Sequence, residues 1–258
     1  MTHQPFDRLR SSEWISALRE RVSRYELTIL VAIAVVAGGA WLFTALAGEV
    51  MEGDTHALDQ RLLLALRNNP ADLSDPIGPP WFEEVMRDFT ALGGFAVLTI
   101  IVLSVIGYLL LQHKPNGALL VGATVVSGVL LSMLLKQGFN RPRPDLVPHG
   151  SFVNDASFPS GHSMLSAVTY LTLGALLARL QPNPRLKIYI LALATLLTVL
   201  VGVSRVYLGV HWPTDVLAGW TAGAVWASVC WLAARWLQRR GQVESSSEDA
   251  AEPTASNS

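Results

Sequence analysis

Six stretches of this sequence, at 26–47, 90–111, 117–136, 163–180, 187–207 and 215–236, are nearly free of charge and long enough to be read as membrane spans. A helix that crosses a bilayer needs about 20 mostly apolar residues. Within lipid the backbone must satisfy its own N–H and C=O groups, so such runs are held to the helical conformation. The reading is therefore all-α: a polytopic membrane protein with six transmembrane helices in a bundle. A soluble protein hiding six such helices would need a far more polar surface than a chain with 51% hydrophobic and 15% charged residues can supply.

Lys and Arg in the flanks orient the bundle. With the N-terminus in the cytoplasm, twelve of the nineteen cationic residues fall on the inner side. Four of the remaining seven lie in or beside the polar clusters described below. Both termini are thus expected inside, in a cytoplasmic (inner) membrane, with the clusters outside. Residues 1–24 are read as a basic cytoplasmic segment, of which 11–24 suits a helix on the inner leaflet. They do not read as a cleavable signal peptide, because the apolar run that follows is too long. Residues 25–240 form the six-span domain, and 241–258, rich in Ser, Glu, Asp and Ala, are expected to be disordered.

The outer segment 48–89 joins an amphipathic stretch at 59–66 to a turn-rich run, Asp75-Pro76-Ile77-Gly78-Pro79-Pro80. It is read as one or two short helices on the outer membrane surface. Tyr25, Tyr108 and Trp236 near inner ends, and Trp41 and Trp212 near outer ends, suit interfacial belts. A net charge of −1 without a basic run argues against a nucleic-acid partner, and the single Cys230 excludes an intramolecular disulfide.

Three polar clusters stand against the ends of the apolar runs, where ionisable groups are costly and point to function. The first is Lys136 with the loop Arg141-Pro142-Arg143-Pro144. Lys at a span end is also an ordinary snorkelling anchor, but Arg and Lys are equally the residues that hold phosphate oxygens. The second is Pro159-Ser160-Gly161-His162, which opens the fourth span. Pro and Ser there make a plain helix N-cap. A helix N-terminus also offers N–H groups to an anion, and there the dipole disfavours a protonated His162 until an anion binds. The third runs from Ser204-Arg205 to His211 and Asp215. Pro213 starts a helix with Asp215 in its first turn, so the carboxylate can hold one imidazole nitrogen of His211 and leave the other as nucleophile or base.

The pattern Lys-x6-Arg-Pro, Pro-Ser-Gly-His and Ser-Arg-x5-His-x3-Asp resembles the signature of the type 2 phosphatidic acid phosphatase family of integral membrane lipid phosphatases. Every signature position is matched, over 136–215. The resemblance implies catalytic roles for His211, His162 and Asp215. His211 would attack phosphorus to form a phosphohistidine, Asp215 would orient it, and His162 would act as acid and then base. It implies phosphate binding by Lys136, Arg143, Ser160, Gly161 and Arg205. No cluster of acids and histidines has metal-ligand spacing, so no metal and no cofactor are expected.

The expected function is hydrolysis of a phosphate or diphosphate monoester from a membrane lipid at the outer face: polyprenyl diphosphate, phosphatidic acid or phosphatidylglycerol phosphate. The partners are then the bilayer and its lipid substrate, with the oligomeric state open. Transfer of the phosphoryl group to a lipid or sugar hydroxyl through the same intermediate is the alternative. A transporter is disfavoured because the charges sit at span ends and not in mid-span. Arg141, outside the signature, is read as a solvated loop charge, and His56 and His149 are given no role. Gly219 and Gly223 in the last span are read as packing within the bundle in preference to a dimer face.

Overall fold

The computed structural model describes residues 24–69, 72–146 and 156–239. The basic segment 1–23, the tail 240–258 and His149 lie outside the described residues. The described chain forms α1 (Arg24–Glu52), α2 (His56–Leu64), β1 (Arg67–Asn69), β2 (Asp72–Pro76), α3 (Pro80–Leu92) and α4 (Phe95–Leu111). These are followed by α5 (Pro115–Gly138), α6 (Gly161–Arg179), α7 (Pro184–Tyr207) and α8 (Pro213–Arg239). Helices α1, α5, α6, α7 and α8 are long and apolar enough to cross a membrane, and the all-α polytopic reading stands. Pro occupies the first turn of α5 and α7, where its missing N–H costs nothing.

The second span differs from its expected form. Residues 90–111 are not one straight helix: α3 and α4 meet at a 48° bend, and only as a pair do they reach spanning length. The bend falls at Gly93-Gly94. A Cβ on Gly93 would stand 2.3 Å from Val201 Cγ1, so the elbow rests directly on α7. The Tyr170 hydroxyl donates to the Leu92 carbonyl at 2.7 Å, which satisfies an acceptor that the break takes out of the helix.

Helix α6 is the axis of the bundle. α7 and α8 pack along it, α5 lies on a further side, α1 lies on α8 and α4 on α5. Small side chains give α6 this place: Ser163, Ser166, Ala167, Thr169, Gly174 and Ala178 are all buried. Helix α1 lies along α8 and buries Ala47 and Val50 near its C-terminal end, while its most apolar stretch has no buried residue. Trp41, 72% exposed, stands on it among other exposed apolar side chains, which is the surface expected against lipid and not water.

Segment 48–89 holds one short helix, α2, and most of α3, the first half of the bent second span, but the β1–β2 hairpin between them was not foreseen. Its strands are short and antiparallel, pairing Arg67 with Pro76 and Asn69 with Asp72, and nothing in their sequence alternates. The hairpin is tied down by its ends: Arg67 donates to the Tyr207 carbonyl at 2.8 Å and the Tyr207 hydroxyl to the Ile77 carbonyl at 2.8 Å. Met86, Phe82, Phe89 and Leu66 close over Tyr207, Leu208 and Val210 in one apolar cluster. The segment therefore covers the C-terminal end of α7, next to the third polar cluster.

Candidate active site

Helix α7 ends in a Schellman turn. Gly209 takes φ 70°, the left-handed conformation that glycine adopts without strain. Its N–H reaches the Val206 carbonyl at 3.0 Å, and the Val210 N–H reaches the Arg205 carbonyl at 3.2 Å. The reversal turns the chain so that His211 follows within two residues and α8 starts at Pro213. Asp215, third residue of α8, folds its side chain back to accept the Trp212 N–H at 2.9 Å, half of a capping box. Asp215 Oδ2 thereby stands 3.5 Å from His211 Nδ1. Ser157 bridges the two, its hydroxyl bonded to Asp215 Oδ2 and 3.4 Å from His211 Nδ1.

The other imidazole nitrogen, Nε2, lies 3.1 Å from Arg143 Nη1, which also donates to the Val210 carbonyl at 2.8 Å. A guanidinium only donates, so Nε2 accepts and the proton sits on Nδ1. That tautomer leaves a lone pair on Nε2. His211 is 1% exposed. Burial pushes its pKa down to about 4; Asp215 pulls the other way, and Arg143 and Arg205 add to the downward push.

The second cluster meets the third backbone to backbone: the Ser160 N–H donates to the Asp215 carbonyl at 2.9 Å. The starts of α6 and α8 are thus pinned together. Ser160 caps α6, accepting the Ser163 N–H at 3.5 Å and the Ser163 hydroxyl at 3.0 Å. His162, the second residue of α6, is half-buried, with Arg205, His211, Lys136 and Arg143 around it. Lys136, at the end of α5, donates to the Ala156 carbonyl at 3.2 Å and passes close to Gly161. Arg205 is almost fully buried at the end of α7. All eight residues singled out in the sequence therefore converge on one locus at one end of the bundle. Among the described residues no group of three His, Cys, Asp or Glu side chains is arranged to hold a metal ion.

Two expectations are corrected. Arg141 is no solvated loop charge: its side chain is 9% exposed, and it pairs with Asp59 Oδ2 and Asp215 Oδ1, each at 2.6 Å. Trp212 belongs to no interfacial belt. It is 3% exposed, its ring lies under the Arg141 guanidinium at 5.6 Å, and its indole N–H donates to the Pro142 carbonyl. Ser204, a signature position given no role from the sequence, bonds Thr90 Oγ1 at 2.6 Å and the Val201 carbonyl. Sequence reasoning missed Ser157, Asp59 and Thr90. Asp59 was legible only as the first residue of an amphipathic stretch, and nothing marked Ser157 or Thr90.

Residues 117–239 match the PAP2 superfamily. Phosphatidylglycerophosphatase B of Bacillus subtilis is 37% identical over 152 residues, covering 57% of this chain and 72% of that protein. The undecaprenyl-diphosphatase of Sulfolobus acidocaldarius is 34% identical over 118 residues, 42% of this chain and 52% of that one. The crystal structure of a transmembrane PAP2-type phosphatidylglycerolphosphate phosphatase from Bacillus subtilis superposes with a TM-score of 0.69 at 28% identity, over 80% of this chain and 97% of that one. Identity, coverage and fold agree, and the chain belongs to the PAP2 superfamily, as a membrane phosphatase.

Proposed function

We propose that the protein hydrolyses a phosphate or diphosphate monoester of a membrane lipid through a phosphohistidine on His211, at the outer face of a cytoplasmic membrane. The observation that carries this reading is the pair of contacts on one buried imidazole: Nδ1 against Asp215 and Ser157, Nε2 against Arg143. The Nε2 lone pair forms the N–P bond to the terminal phosphorus as that phosphorus loses its bridging oxygen, which stays with the lipid, or with the lipid monophosphate where the substrate is a diphosphate. The electron pair of the broken P–O bond leaves with that oxygen, which takes a proton from His162. His162 then accepts a proton from water, water oxygen bonds phosphorus, and the P–N bond breaks to release orthophosphate. Asp215 balances the imidazolium of the phosphoenzyme.

Phosphoryl transfer asks mainly for positioning and for charge around the equatorial oxygens. Arg143, Arg205 and Lys136, with Ser160 and the Gly161 N–H at the start of α6, are assigned to that charge. Arg143 would pass its donor from Nε2 to a phosphoryl oxygen as substrate enters. The relatives' names support a glycerophospholipid phosphate or a polyprenyl diphosphate as substrate.

Phosphate release from a panel of these lipids by purified protein tests the reading. His211→Ala should fall to background, and His162→Ala should lose about 10²–10⁴-fold, the scale of a general acid. Release should persist in EDTA. Wild-type rates from both variants, or loss in EDTA restored by Mg²⁺, would sink the mechanism.

A further inference from the structure

Helix α8 begins at Pro213, and its N-cap residue, Trp212, has no side-chain oxygen to receive the next free N–H, that of Thr214. The acceptor comes from elsewhere in the chain. Asp59 of α2, fully buried, takes the Thr214 N–H on Oδ1 at 3.0 Å and the Thr214 hydroxyl on Oδ2 at 2.6 Å. The same Oδ2 receives Arg141 Nη2 at 2.6 Å, while Arg141 Nη1 reaches Thr214 Oγ1 at 2.8 Å and Asp215 Oδ1 at 2.6 Å. Arg141 thus joins two buried carboxylates, one terminal nitrogen directed to each. The partners of the two Asp215 oxygens divide cleanly: Oδ1 meets Arg141, while Oδ2 faces Ser157, the Trp212 N–H and His211.

We propose that Asp59 and Arg141 are positioning residues: α2 caps the start of α8 in trans and, through Arg141, fixes the rotation of the Asp215 carboxylate behind His211. This rests on the reading of His211 as nucleophile with Asp215 as its orienting partner. A carboxylate that loses its Oδ1 partner turns to recover one, and it can do so only by giving up the alignment of Oδ2 with His211 Nδ1. Arg143 sits against Nε2, where phosphorus arrives. Arg141 holds the opposite side of the imidazole, two bonds removed, and touches no reacting atom. Leu63 of α2, fully buried and packed with Trp212, anchors the helix that carries Asp59. The outer segment is in this way part of the catalytic framework and not only a cover over it.

The test uses the full-length protein in detergent micelles containing phosphatidic acid, with kcat and KM measured separately. The variants are Asp59→Asn, Arg141→Gln, Arg141→Lys and the double variant Asp59→Asn/Arg141→Gln, which removes the Asp59–Arg141 pair together and leaves Asp215 as in Arg141→Gln alone. Asp59→Asn and Arg141→Gln should each lower kcat by about 10- to 100-fold with KM within about twofold. Arg141→Lys should recover part of that loss. The double variant should fall no further than the worse single one, because both act through the same carboxylate.

Wild-type kcat in both single variants would overturn the proposal. So would losses that multiply in the double variant, a rise in KM at constant kcat, or a lowered unfolding temperature with kcat per folded molecule unchanged. His211→Ala, run in parallel, separates the two readings: if it stays active the nucleophile is wrong, whatever the other variants do.

Discussion

In the proposed mechanism His211 has to combine two demands that oppose each other in water: a lone pair ready for phosphorus, and proximity to the cations assigned to the phosphate. Burial and the neighbouring guanidiniums keep the imidazole neutral, with a pKa of about 4 against the usual 6.5. A depressed pKa extends the neutral, attacking form toward acid, so protonation should switch the enzyme off only as pH falls toward that value. The acid limb of kcat/KM, after division by the ionisation of the substrate phosphate, should therefore have its midpoint well below 6.5. A midpoint at 6.5 or above would mean that the nucleophile is solvated. Arg141 shows the limit of reading single residues. Its neighbour Arg143 drew an expected role from the family resemblance, because the signature includes it. The two carboxylates that claim Arg141 lie 82 and 74 residues away in sequence, and no local pattern carries that information.

At the level of elements, spacing was a good guide wherever lipid imposes length. Five of the six anticipated spans appear as single helices within a few residues of their expected ends, and the sixth as a bent pair. The hairpin and the elbow escaped because both depend on what they rest against, the end of α7, and not on their own periodicity. The Gly219 and Gly223 pair was read as internal packing, and it is: a Cβ on Gly219 would stand 2.7 Å from the Ser160 carbonyl oxygen, and one on Gly223 2.6 Å from Ala167 Cβ. Gly219 therefore sets how closely α8 approaches the start of α6, where the site is assembled. Gly219→Ala should destabilise the protein by about 1–3 kcal/mol, as overpacking does, and lower activity with it. Gly107→Ala, with nothing within 4 Å of its Cβ, should stay within about 0.5 kcal/mol. Thermal unfolding in detergent, paired with phosphate release, measures both.

For the whole molecule, the orientation read from Lys and Arg makes a direct prediction. In a Cys230→Ser background, a cysteine at exposed Asp54, within segment 48–89, should react with a membrane-impermeant maleimide on intact cells or spheroplasts. A cysteine at exposed Lys114, in the turn between α4 and α5, should react only after permeabilisation. The reverse pattern would invert the topology and move the site to the inner face. The spans, their number and the chemical types in the three clusters were legible in the chain alone, because a bilayer tolerates few structures and phosphate few binding groups. The partners of those groups were not. Whether an arginine holds phosphate or holds an aspartate depends on which buried charges the fold brings within about 3 Å, and at that range desolvation makes each pairing decisive. Packing α2 against the start of α8 settled this for Arg141, which pairs with Asp59 and Asp215.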